Sequence, residues 1–377
     1  GPSSITNSRA VIKADNPWRP SASDKESSLY IAWLANNDLT YEKKHELNFG
    51  IDAGFLNNRI NFTFDIYTRR NYDLIGATNT MGIGGEPTKY GNVAKMKSNG
   101  VELSLNTVNI KTKDFTWTTD FIYSHMHNEV TELNTYNRLY DYISGYGFTM
   151  PGYPQRSLFS IPFAGLNNEG LPTFYDPDGN ITVTGIDMQE YDPERLKFLK
   201  YEGPADPTDV GSLGNIFRYK NLTLNLFITY SFGNVVRLDP VFSSEYSDLS
   251  ATPKEFNNRW IKPGDEKFTN IPVIASRQQL NNLAYLSRAY QSYNYSTARV
   301  AKGDFIRMKE ISLAYEFPKT LTQPLHLSNL SLKLQATNLF LLYADKKLNG
   351  QDPEFFNAGG VATPMPKQFT LTLKFGI

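Results

Sequence analysis

His125, His127 and Glu129 stand at alternate positions, so on an extended strand all three share one face. Two imidazoles and a carboxylate are a ligand set for zinc or copper. The competing reading is a strand end that continues the face of Phe121 and Tyr123. A second oxygen-rich group, Asp176, Asp178, Asn180 and Asp187, resembles a calcium loop, but Asp187 stands where such a loop needs its bidentate glutamate. Pro177 and Gly179 instead suit a hairpin turn, Pro by fixing φ and Gly by accepting positive φ. Gly82, Gly84 and Gly85 neither follow a buried strand nor open a helix, which argues against a dinucleotide site and for a flexible loop. Asn61, Asn180, Asn221 and Asn294 sit in sequons that matter only in a eukaryotic secretory route. No nucleophile elbow, Ser–His–Asp order or carboxylate pair stands out, so the sequence offers no catalytic candidate and no cofactor.

The remaining chemistry is aromatic. Trp260 precedes a Pro-Gly-Asp turn, Tyr285, Tyr290, Tyr293 and Tyr295 follow closely, and Phe355 and Phe356 are adjacent further on. Such rings offer large contact area at small entropy cost, for stacking a sugar or meeting a partner protein. The alternative is that these segments pack their rings on their own base.

What must position these residues is a set of strands. The last eleven residues, KQFTLTLKFGI, place Phe369, Leu371, Leu373, Phe375 and Ile377 on one side and Thr370, Thr372, Lys374 and Gly376 on the other. The same period appears in Leu222, Leu224, Leu226, Ile228, Tyr230 and Phe232, and in Leu47, Phe49, Ile51, Ala53 and Phe55. Period two predicts strands near 42–55, 58–69, 99–109, 113–127, 212–220, 222–232, 303–317, 328–341 and 367–377, with weaker ones near 155–165 and 172–183. Eleven residues at about 3.4 Å each, tilted by about 45°, span roughly 26 Å, the height of the apolar band of a membrane barrel.

Connection lengths alternate. Short turns fall at Leu56–Asn57, Ile110–Thr112, Asn221 and Pro318–Leu327, and long connections at 70–98, 128–211, 233–302 and 342–366. Outer-membrane barrels combine short periplasmic turns with long extracellular loops, whereas a soluble glycan-binding β-sandwich has no reason to sort loops by parity. The expected fold is therefore all-β, a transmembrane antiparallel β-barrel. Residues 1–41 form an extracellular segment and 42–377 the barrel part. An odd strand count starts the chain outside, so it reads as cut within an outer loop, the C-terminal part of a larger barrel.

Composition agrees. Lys and Arg total 38 against 38 Asp and Glu, which gives no electrostatic case for a nucleic-acid partner. Mean hydropathy is −0.43 and no apolar run approaches a membrane helix, a fact silent about barrels. No cysteine is present, and 23 Tyr with 24 Phe suit interfacial girdles. The opening GPSSITNSRA lacks a signal-peptide pattern, as expected of a processed chain or a fragment.

Ordered blocks across nearly the whole chain from about residue 30 resemble the SusC/RagA family of TonB-dependent outer-membrane transporters of Bacteroidetes. They are 38–52 (DLTYEKKHELNFGID), 57–75, 90–106, 163–180, 201–234 (YEGPADPTDVGSLGNIFRYKNLTLNLFITYSFGN), 257–272, 303–318 and 333–354. The resemblance implies a plugged barrel of 22 strands, a count known for such transporters. It also implies multi-pass residence among the lipids of the outer membrane of a Gram-negative bacterium. The N-terminal plug, the first barrel half and the box that engages TonB are missing from this chain. The implied function is energy-dependent import of oligosaccharides or peptides, without covalent change. A SusD-like surface lipoprotein forms the lid, and the transporter–lid pair can form a homodimer. In that picture Trp260, Tyr285, Tyr290, Tyr293, Tyr295, Phe355 and Phe356 contact substrate or lid. Such proteins usually end on an aromatic residue; this one ends on Ile377. A barrel scaffold without transport is the other reading compatible with the same strands.

Overall fold

The computed structural model describes residues 9–15, 28–33, 35–79, 88–135, 137–145, 147–247, 252–356 and 365–376. Nine strands pair in sequence order into one antiparallel sheet. They are β1 (Lys43–Phe55), β2 (Ile60–Asn79), β3 (Thr88–Lys111), β4 (Phe115–Leu133), β5 (Asp209–Tyr219), β6 (Leu222–Phe232), β7 (Phe305–Glu316), β8 (Asn329–Ala344) and β9 (Gln368–Gly376). The expected strands near 155–165 and 172–183 stay outside this sheet and form short pairs within a connection. A separate hairpin joins Val11–Asp15 to Ser28–Trp33.

Register carries the two-faced pattern across the whole sheet. Directly opposed residues share a side. One row runs Ile51, Phe64, Leu103, Tyr123, Gly211, Tyr230, Ile306 and Tyr343. Another runs Trp117, Phe217, Leu224, Leu313, Leu334 and Leu371. The neighbouring rows on the other side are polar, as in Asn225, Ser312, Gln335 and Thr370. A slip of one residue would swap these faces, so the two environments fix the register. The apolar rings are not covered by the chain itself: Leu47 is 72% exposed and Phe369 76%.

Where polar groups interrupt the apolar face, they satisfy one another. Trp117 Nε1 and Thr119 Oγ1 both donate to Asn215 Oδ1, at 2.9 and 2.8 Å, and Asn109 Nδ2 donates to Thr119 Oγ1 at 2.6 Å. That closure matters in any surroundings without water, where an unpaired amide is costly. Gly211 has a steric role in the same face. Its missing side chain lets the Tyr230 ring cross β5 and donate to the Ile122 carbonyl at 2.9 Å. A Cβ there would stand 2.1 Å from that carbonyl oxygen and 2.4 Å from Tyr230 Oη.

The segment 70–98, expected as a long connection, is mostly strand. β2 and β3 keep pairing to Asn79 opposite Thr88. Alternation fails there because the register shifts around Asn71–Leu74, with Asp73 at φ 55°. A bulge of this kind breaks period two while leaving the ladder intact. The expected glycine loop at Gly82, Gly84 and Gly85 lies outside the described residues. Consecutive connections of a meander alternate between its two ends, so the connections that follow β2, β4, β6 and β8 share one end.

Candidate functional site

That end of the sheet carries a folded cap. Connections 134–208 and 233–304 share one hydrophobic core, with Leu139, Ile161, Leu171 and Phe174 from the first against Phe242, Leu286, Tyr290 and Tyr293 from the second. Apart from Phe242, the second group comes from one face of the helix Leu286–Asn294, its Leu286, Ala289, Tyr290 and Tyr293 following helical spacing. Polar brackets fix the contact. Asn294 Nδ2 donates to the Phe242 carbonyl at 2.7 Å while its Oδ1 accepts from Phe242 N at 3.2 Å. Arg237 spans both connections, donating to the carbonyls of Phe159 and Ser296 and to Ser160 Oγ. Its burial lowers the guanidinium pKa to about 10, so it remains a cation at neutral pH. Connection 345–367 joins through a smaller core in which Leu348 and Phe356 meet Val236, Leu238 and Ala301.

The seven aromatic candidates separate on this cap. Tyr290, Tyr293 and Phe356 are buried core residues, and Trp260 is nearly so. Tyr290 Oη donates to the Val273 carbonyl at 2.5 Å, and burial raises the pKa of both core tyrosines. These rings pack inside the cap and hold it together. Tyr285 is 65% exposed, with the Arg288 guanidinium over its ring at 4.2 Å. Tyr295 and Phe355 are half-buried.

Trp260 packs on Gly170, where a Cβ would approach the indole to 2.4 Å, and its Nε1 donates to Glu266 Oε2 at 3.1 Å. Beside its edge lies a cleft of about 570 Å³ rimmed by Asn168, Glu169, Gln278, Gln279 and Asn282. Amides around an indole edge suit a neutral polar ligand that both donates and accepts hydrogen bonds. No local pattern marks this rim, because Asn168 and Gln278 are far apart in the chain and surface amides are common.

The metal candidates do not converge. His125 Nδ1 lies 2.9 Å from Asp209 Oδ1, Glu129 pairs with Lys97 at 2.9 Å, and His127 is opposite Asn99. Asp176 caps its own turn, accepting from Asp178 N and Asn180 N at 3.0 and 2.8 Å, with Gly179 at φ 82°. This is the hairpin turn between Pro172–Tyr175 and Ile181–Thr182.

A two-faced antiparallel meander of nine strands, with its long connections gathered at one end, defines the fold class as all-β. The chain is 28% identical over 355 residues to the TonB-dependent receptor SusC of Bacteroides thetaiotaomicron, covering 90% of this chain and 32% of that protein. It is 26% identical over 373 residues to a TonB-dependent receptor of Formosa agariphila, covering 88% of this chain and 34% of the relative. Among solved structures it superposes on the RagAB peptide transporter with a TM-score of 0.73 at 24% identity, over 98% of this chain and 38% of that one. No protein-family model matches. The chain is thus similar to TonB-dependent receptors of the SusC kind, and it spans about a third of the length of the curated relatives it matches.

Proposed function

We propose that this chain is the C-terminal wall and outer cap of a plugged outer-membrane barrel of the 22-stranded type. The complete protein imports oligosaccharides or peptides in a TonB-dependent manner beneath a SusD-like lipoprotein lid. The observation that carries the reading is a predominantly apolar face shared by nine strands, with every long connection at one end. The names of the relatives, receptors and a transporter, support import over catalysis. β1 and β9 each pair on one side only among the described residues, so these edges are where further strands add. The chain's own part is recognition and gating: Tyr285, Phe355, Tyr295 and the amide cleft beside Trp260 contact substrate or lid. Replacing Tyr285 by Ala in the full-length protein should weaken lid co-purification by about tenfold, the loss expected for an exposed aromatic anchor. Deleting the gene should reduce uptake of labelled oligosaccharide or peptide to background. Undiminished uptake of both overturns the import reading.

The barrel reading has its own test. Leu226→Arg, near the middle of β6 on the apolar face, should cost about 2–4 kcal/mol. Asn225→Arg should cost much less, because Asn225 already donates to Glu310 Oε1 at 3.2 Å on the polar face. Folding titrations in lipid vesicles compare the two. Equal losses would show that lipid does not lie on the assigned side.

A further inference from the structure

On the apolar face, at the capped end of β1–β4, lies a groove of about 410 Å³ lined by Leu47, Phe49, Ile66, Val101, His125 and His127. Its floor is apolar, and Phe49 is 60% exposed. Moving toward the cap along the same side, the next row is Leu47, Thr68, Asn99 and His127, and the one after is His45, Arg70, Lys97 and Glu129. Each step is two residues, about 7 Å along a strand. The face therefore passes from hydrocarbon-like, through hydroxyl, amide and imidazole, to cationic within two steps. Lys97 is exposed and shares its charge with Glu129 at 2.9 Å. The exposed Arg70 has no acidic partner among the described residues. The cations one row further are already paired, Lys43 with Asp73 and Lys95 with Glu132.

We propose that this groove holds one phosphate-bearing lipid of the outer leaflet. Its acyl chain lies on Leu47, Phe49, Ile66 and Val101, and its phosphate is held by Arg70 and Lys97, with Thr68 and Asn99 as neutral donors. The charge pattern selects this occupant. A guanidinium fork matches phosphate oxygens in a bidentate manner, and an anion is attracted to Arg70, which has no acidic partner among the described residues, but repelled from the β4 side by Glu129. The apolar floor requires that the anion carry a hydrocarbon chain. The inference rests on the membrane reading above, which places this face in lipid and the capped end outermost.

The test uses the full-length protein in mild detergent, with phosphatidic acid, diacylglycerol and inorganic phosphate as separate probes. Wild type should retain phosphatidic acid, and neither diacylglycerol nor inorganic phosphate. The double variant Arg70→Glu, Lys97→Glu should lose that retention by about tenfold or more, as expected when two charge-assisted contacts become repulsive. Phe49→Ala should reduce it without altering any charge. Heat-modifiable migration on gels checks that each variant is folded. A heat-modifiable double variant that retains phosphatidic acid unchanged overturns the lipid site alone. Equal retention of diacylglycerol by wild type does the same. A wild type that is not heat-modifiable overturns the membrane reading and this inference together.

Discussion

Removal of residues 260–295 unfolds the cap across two connections rather than trimming one. The deletion takes Leu286, Ala289, Tyr290 and Tyr293 from the shared core, and Trp260 from its seat on Gly170. At about 1.5–3 kcal/mol for each fully buried large side chain, the loss is on the order of 10 kcal/mol, comparable with the whole stability of a typical domain. Ile161, Leu171 and Phe174, in the untouched connection 134–208, would then face water. Limited proteolysis with fragment identification should find new cuts throughout 134–208 while β1–β9 stay protected. If 134–208 remains resistant, the two connections fold independently and the shared core is not what stabilises them. Loss of a partner in this deletion would report collapse of the cap, which is why the single substitution at exposed Tyr285 is the sharper probe of contact.

Asp352→Ala should release connection 345–367 from the sheet at a cost of about 3–5 kcal/mol, the usual penalty for leaving one member of a buried ion pair without its partner. Arg307 on β7 meets Asp352 at 2.5 Å, with side-chain exposures of 3% and 1%, and Arg307 Nε lies 3.2 Å from the half-exposed Glu354. Asp352 also accepts from Glu354 N at 3.1 Å, opening the short turn Pro353–Phe355, so its loss weakens that turn too. Protease sensitivity near 346–356 should rise, and the folding midpoint should fall. The double substitution Arg307→Met, Asp352→Leu should recover much of the loss, because it removes both charges from the interior. A single variant as stable as wild type would mean that water or Glu354 already neutralises Arg307.

Strands whose two faces meet different surroundings were legible in the sequence. All nine members of the sheet follow from period two, because each position on the apolar face must alternate with one on the polar face. The run Leu222 to Phe232 is read correctly to the residue. The reading fails where the backbone departs from that period. The β2–β3 extension looked like a loop because the shift near Asp73 moves residues to the opposite side without ending the ladder.

By itself, then, the sequence determined the strands and their two alternating faces, since both depend on neighbours within a few residues. Only the tertiary structure decided what the connections do. Tyr290 and Tyr293 are ring-rich surface candidates in one dimension, and become core when Ile161 and Phe174, more than a hundred positions away, close over them. Arg237, Arg307 and Asp352 look like ordinary surface charges until connections from different parts of the chain bury them together. Period and composition report a residue's local preference. Whether a polar tip or a ring meets water is fixed by which distant segment arrives at the same place, and no local pattern encodes that arrival.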